Sequence, residues 1–210
     1  MIDYRVYLVT DDPSRYHRDW LETVEAALEG GVTCVQYRDT ENDPKMQYER
    51  ILRLRDLTRF HQVGLIVNND AALAAAVNAD GVHVGQGDLP PAQVRAIVGT
   101  RCEIGLSITD LRQVAALKAL PRGLVDAIGI GPVYDARETK HDAADALGLE
   151  GLRAVVEATN AFRNVAIGGI TLARAAQVVA AGAQGLAIVS ALSQAEDPRA
   201  AAAAFREVFS

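Results

Sequence analysis

Two apolar runs near the C-terminal end of the chain finish in residues that let a ligand approach the backbone. The first, Asn164-Val-Ala-Ile, ends in Gly168-Gly169, and the second, Gly185-Leu-Ala-Ile, ends in Val189-Ser190. Glycine has no side chain to shield its N–H, and serine both opens a helix and donates a hydroxyl. Such donors at the ends of two neighbouring strands are suited to holding a phosphate. Thr10, Gln36 with Arg38, Asn68, Asp88, Ser107 and Gly131 also follow apolar runs, whereas the starts of those runs show nothing comparable. Wet loops and helix caps alone would account for about half of these residues. They account poorly for Gln36-x-Arg38 and Gly168-Gly169.

The elements that must position these residues repeat as strand, loop and helix. Apolar and β-branched runs predict strands at 4–9, 32–35, 63–67, 80–84, 102–106 and 125–130, with the two runs above as the seventh and eighth. Between them, helical periodicity covers 18–29 and 44–60, a short alanine-rich helix capped by Asp70 and running through Val77, a helix opened by Leu89-Pro90-Pro91, and one to Ala119 capped by Thr109 or Asp110. A last helix covers 198–209. Eight βα units predict one (β/α)8 TIM barrel, in which all strand ends open on one face, where such barrels do their chemistry. The loops after strands seven and eight are where such barrels commonly bind phosphate.

Composition narrows the function. With 210 residues, half of them hydrophobic, and a net charge of −6, the chain suits one well-buried domain and argues against a nucleic-acid surface. Cys34 and Cys102 lie inside apolar runs without a partner at metal spacing, so both are read as buried strand thiols in a reducing cytoplasm. No basic leader opens the chain, and no apolar run approaches the ~20 residues of a membrane helix.

The pieces Tyr7-Leu-Val-Thr-Asp11, Val35-Gln-Tyr-Arg38, Ile66-Val-Asn68, Ala79-Asp-Gly-Val-His-Val-Gly-Gln86, Asp88, Gly105-Leu-Ser107, Ile128-Gly-Ile-Gly-Pro-Val-Tyr134, Thr139-Lys140, Ala166-Ile-Gly-Gly-Ile170 and Ile188-Val-Ser190 span nearly the whole chain. In this order they closely resemble the thiamine phosphate synthase family. The resemblance implies a transferase that joins hydroxymethylpyrimidine diphosphate to thiazole phosphate, releasing diphosphate, with Mg²⁺. It places Gln36 and Arg38 on the pyrimidine diphosphate and Asn68 and Ser107 beside the pyrimidine. Thr139 and Lys140 fall near the leaving diphosphate, and Gly168, Gly169, Val189 and Ser190 on the thiazole phosphate. Arg38, Ser107 and Lys140 are the expected catalytic residues, and Asp88 and Asn69 the expected metal ligands. His83, alone within a strand, is read as structural.

Three departures from the family pattern fall on the diphosphate and metal side. Thr40 stands where the family has a lysine, Asn69 where it has an aspartate, and Asp135-Ala-Arg-Glu-Thr-Lys140 is one residue longer than usual and short of a threonine. Asp70 or a water is the expected substitute at the metal, and Arg137 or Lys45 the expected substitute cation. Two other readings stay open, a relative of the thiazole tautomerases and a non-catalytic binder of thiamine phosphate. The long polar loop 135–147 is expected to act as a lid. A homo-oligomer is compatible with the outer helices, although no helix pattern demands one.

Overall fold

Eight short apolar runs become strands: β1 (Val6–Val9), β2 (Cys34–Tyr37), β3 (Gly64–Asn68), β4 (Gly81–Val84), β5 (Glu103–Ile108), β6 (Ala127–Ile130), β7 (Arg163–Ile167) and β8 (Leu186–Ile188). In this computed structural model, which describes residues 1–39, 43–137 and 144–210, the strands pair in chain order and all in parallel. Pairing of β8 with β1 closes the barrel. Helices α1 (Trp20–Glu29), α2 (Pro44–Phe60), α3 (Ala71–Ala76), α4 (Pro91–Val98), α5 (Gln113–Ala119), α6 (Gly148–Ala158) and α7 (Leu172–Ala180) follow the first seven strands. The single turn α8 (Ser190–Ser193) and then α9 (Pro198–Glu207) follow the eighth.

Alternation along each strand sorts the side chains. Val35, Leu65, Val67, Val82, Ile104, Ile128 and Leu186 join the large core between strands and helices. Each fully buried side chain of this size stabilises the fold by roughly 1.5–3 kcal/mol. Tyr7, Val9, Cys34, Ile66, Val165 and Ala187 form a smaller cluster inside the barrel. Burial pushes the Cys34 thiol well above its ordinary range, as expected for an inert strand cysteine. Asp19, Asp43, Asp70 and Asp197 cap α1, α2, α3 and α9 through backbone N–H groups; caps of this kind contribute roughly 1 kcal/mol each.

The N-terminal end of the barrel is closed by a polar cluster. Glu103 accepts hydrogen bonds from the Ile2 N–H (3.1 Å), the Tyr4 hydroxyl (2.9 Å) and Arg163 Nη2 (2.8 Å). The Arg163 guanidinium also lies 5.2 Å from the centre of the Tyr4 ring. Room for the Ile2 side chain comes from Gly64 and Gly81, where an added Cβ would meet it at 3.1 and 3.3 Å.

Several boundaries differ from expectation. β2 starts two residues late, because Val32 and Thr33 serve the turn after Gly30-Gly31 and the Thr33 hydroxyl bonds the backbone of Val6. β5 runs on through Ser107 to Ile108. α5 is capped by neither Thr109 nor Asp110. The Asp110 carboxylate turns to the N–H and guanidinium of Arg112, and the Gln113 side chain reaches back to Thr109. The first two shifts bear on function: Gln36 and Ser107 lie within strands, deeper than residues that follow them.

Candidate active site

A cavity of about 210 Å³ occupies the barrel interior, running from the strand C-terminal ends down to Tyr4 and Glu103. It exists because inward positions on neighbouring strands are small: Gly81, Gly105, Ala127, Gly129 and Ala187 all line it. Of the expected site residues, Gln36, Arg38, Asn68, Ser107, Gly168, Gly169, Val189 and Ser190 also line it. Thr139 and Lys140 lie outside the described residues, as do Thr40 and the middle of the expected lid.

The side from β2 to β5 is built from side chains held by other side chains. Gln36, almost fully buried on β2, donates through Nε2 to the Tyr7 hydroxyl at 2.6 Å. Burial pushes that phenol well above its ordinary value, so it keeps its proton. Arg38, just past β2, is fixed at its backbone by the Thr10 hydroxyl, with both contacts at 2.9 Å. Its Nη1 stands 3.8 Å from Asp11 Oδ1, and the buried Asp11 carboxylate is also 3.0 Å from Arg15 Nε. The second of these contacts lacks hydrogen-bond alignment and acts as charge pairing. Next along the chain, Asp39 accepts from Arg50 at 2.8 Å and from the Tyr37 hydroxyl at 2.6 Å.

His83, read as a structural residue, belongs to the same wall. It lines the cavity, and its Nε2 lies 2.9 Å from Ser107 Oγ. Two glycines make this possible. A Cβ at Gly105 would sit 2.4 Å from His83 Nδ1, and one at Gly129 would sit 2.8 Å from Cε1. The registers His83↔Gly105 and Ser107↔Gly129 thus bring three strands together around one imidazole. Sequence reasoning gave no role to Tyr7 or His83. The available signal was a polar residue at an inward position of an otherwise apolar strand.

The side from β6 to β8 is built from backbone. Gly168 and Gly169 have φ of 101° and 61°, a left-handed region that favours glycine. A Cβ on Gly168 would fall 2.5 Å from Pro132 Cβ, and one on Gly169 would fall 2.7 Å from the Asp135 oxygen. The glycine pair therefore packs against the loop after β6, joined to it by the Val133 N–H to Ile167 (2.8 Å) and the Tyr134 N–H to Gly168 (3.0 Å). After β8, the Val189 carbonyl accepts from Leu192 and Ser193, opening α8 at Ser190. The first N–H groups of a helix have no partner within it. Glycine loop and short helix therefore share one wall of the cavity.

Asp88 and Asn69 do not line the cavity; they lie on the rim beyond β4 and β3. Asp88 Oδ2 accepts from the Gly85 N–H at 2.7 Å. Asn69 is exposed, has φ of 62°, and its N–H donates to the His83 carbonyl at 2.8 Å. Among the described residues, no three His, Cys, Asp or Glu side chains gather as for a metal. Asp70 caps α3, Lys45 is exposed on α2 opposite Glu49, and Arg137 pairs with Asp145 at 2.7 Å and Asp135 at 3.5 Å. Neither cation lines the cavity. No helix among the described residues is long and apolar enough to cross a membrane.

Known proteins share the fold of this chain and much of its sequence. A sequence model of the family described as thiamine monophosphate synthase matches residues 6–192. The thiamine-phosphate synthase of Chloroflexus aurantiacus is 45% identical over 210 residues, covering 100% of this chain and 94% of that protein. Thiamine-phosphate synthase 1 of Aquifex aeolicus is 40% identical over 206 residues, covering 97% and 92%. Among solved structures, thiamine phosphate pyrophosphorylase from Pyrococcus furiosus superposes with a TM-score of 0.85 at 32% identity, covering 98% of this chain and 95% of that one. With its closed barrel, its glycine loop and its full-length likeness to these relatives, the chain belongs to the thiamine monophosphate synthase family.

Proposed function

We propose that this chain joins hydroxymethylpyrimidine diphosphate to thiazole phosphate, giving thiamine phosphate and diphosphate. The observation that carries the reading is that one cavity is walled by both halves of such a site. Gln36, Arg38, Asn68 and Ser107 stand on one side, and Gly168, Gly169, Val189 and Ser190 on the other. In the reaction the bond from the pyrimidine methylene carbon to the diphosphate oxygen breaks, and the diphosphate takes the electron pair. The thiazole nitrogen lone pair then forms the new C–N bond. Arg38 offers a planar fork to diphosphate oxygens. The amide of Gln36, held by Tyr7, and the hydroxyl of Ser107, held by His83, orient the pyrimidine, while the β7 and β8 loops hold the thiazole phosphate in line. Thr139 and Lys140 are assigned to the leaving diphosphate.

Mg²⁺ belongs to the proposal. Mg²⁺ usually keeps several waters and takes one or two protein carboxylates together with substrate phosphates. Asp88, whose Oδ1 is free of the Gly85 bond, and the exposed Asn69 amide on the neighbouring strand end fit that sparse role. When bound there, the ion would neutralise diphosphate charge.

The relatives reported above carry the synthase name, and no observation favours the tautomerase-like or non-catalytic readings. The test is formation of thiamine phosphate from the two substrates while Mg²⁺ is titrated, with Asn69→Asp alongside. Mg²⁺-dependent turnover, with half-activation at lower Mg²⁺ in the variant, is expected. Binding of thiazole phosphate without product would overturn the reaction.

A further inference from the structure

Arg174 occupies the first turn of α7, directly after the glycine loop. Its Nη1 donates to the Gly169 carbonyl at 2.8 Å, and its guanidinium stacks 4.4 Å from the centre of the Tyr134 ring. Tyr134 is itself joined to the same loop through its N–H to Gly168. One side chain thus spans the loop after β6 and the loop after β7.

Helix stability gives no reason for a cation at this position. The first turn of a helix is its electropositive end, where a positive side chain is disfavoured. Nor does Arg174 serve the core, since α7 buries Ala175 and Val178 while Arg174 is exposed. The cavity wall, however, is short of positive charge at this end. Among the described residues lining it, Arg38 on the far side is the only arginine or lysine. A phosphate seated on Gly168, Gly169, Val189 and Ser190 meets backbone N–H groups and a hydroxyl there. Arg174 supplies a guanidinium behind that loop.

We propose that Arg174 is a positioning residue for the phosphate-bearing substrate. It fixes the Gly169 peptide against Tyr134 and places a positive charge next to the phosphate, so it sets affinity for that group and leaves the bond-making step alone. The proposal rests on the reading of this loop as the thiazole phosphate seat.

The test compares thiazole phosphate with the same thiazole as its unphosphorylated alcohol, by calorimetry on wild type, Arg174→Gln, Arg174→Lys and Tyr134→Leu. Arg174→Gln is expected to weaken thiazole phosphate roughly three- to tenfold and to leave the alcohol unchanged. Arg174→Lys regains part of the loss, and Tyr134→Leu reproduces part of it. In steady state the KM for thiazole phosphate rises by the same factor, while kcat and the KM for pyrimidine diphosphate stay within about twofold, as loss of uniform binding requires. Equal weakening of phosphate and alcohol, no change in either, or a fall in kcat alone would overturn the proposal. A wild-type protein that binds thiazole phosphate but forms no product overturns the proposed reaction alone, because the binding comparison still decides Arg174. One that does not bind thiazole phosphate overturns both.

Discussion

The two walls of the cavity are built by different means. From β6 to β8 the wall is backbone, with two left-handed glycines pressed against Pro132 and Tyr134 and a short helix opened at Ser190. From β2 to β5 it is paired side chains: Gln36 on Tyr7, Arg38 beside Asp11, His83 on Ser107. On the proposed reaction the contrast has a physical reason. The thiazole phosphate is carried through the reaction unchanged, so holding it calls for a fixed shape and gains nothing from a stronger grip in the transition state. The diphosphate acquires charge as it departs, and only groups that interact more strongly with that growing charge lower the barrier. Shape should therefore break one wall and charge the other.

The largest effect is expected on the backbone wall. Gly168→Ala adds a Cβ 2.5 Å from Pro132 at a φ of 101°, a strain of about 3 kcal/mol that the glycine loop relieves by moving out of place, so thiazole phosphate binding is expected to weaken roughly 100-fold. Calorimetry should find the pyrimidine diphosphate affinity little changed, and equal losses for the two ligands would erase the distinction between the walls. Next comes Arg38→Ala, with kcat expected to fall roughly 100-fold and Arg38→Lys restoring only part of it. Added salt should raise the KM for pyrimidine diphosphate more than that for thiazole phosphate. Smaller again is His83→Ala, at about tenfold in kcat/KM, from leaving the Ser107 hydroxyl without its partner. Made in a Ser107→Ala background, the same change should cost much less, and full additivity in that double-mutant cycle would separate the two residues.

The smallest effect concerns the phenol beneath Gln36. Tyr7 is raised well above 10.0 by burial, with Cys34 the lesser cause. A raised pKa means that the folded state binds the proton more tightly. The contribution is therefore complete below pH 10 and declines as pH rises above it, by about 1.4 kcal/mol per pH unit. Urea unfolding at pH 9 and 11 should show a steeper decline for the wild type than for Tyr7→Phe. Identical declines would show that the phenol is not the group responsible.

Legibility in the sequence followed the same divide. The barrel could be read because eight apolar runs with intervening helical periods leave little other choice, and Gly168-Gly169 could be read because two adjacent glycines after a strand have few structural uses. The paired wall was read only in part. Gln36 and Ser107 were found, yet placed after their strands, because strand ends depend on pairing partners such as Val9 and Gly129 that lie far away in sequence. His83 was assigned to structure because its neighbours in sequence are apolar. Its slot is made by Gly105 and Gly129, one and two strands further on. Asp70 was legible as the cap of the alanine-rich helix, because an aspartate directly before a helical run has that use, and its Oδ1 accepts from the Leu73 N–H.

The polar floor has a consequence for how the chain holds together. Ile2, Tyr4, Glu103 and Arg163 join the segment before β1 to β5 and β7 at the end of the barrel opposite the mouth. The first residues of the chain thus act as a clasp across the base, fastening together strands that lie far apart in sequence and leaving the mouth to the chemistry.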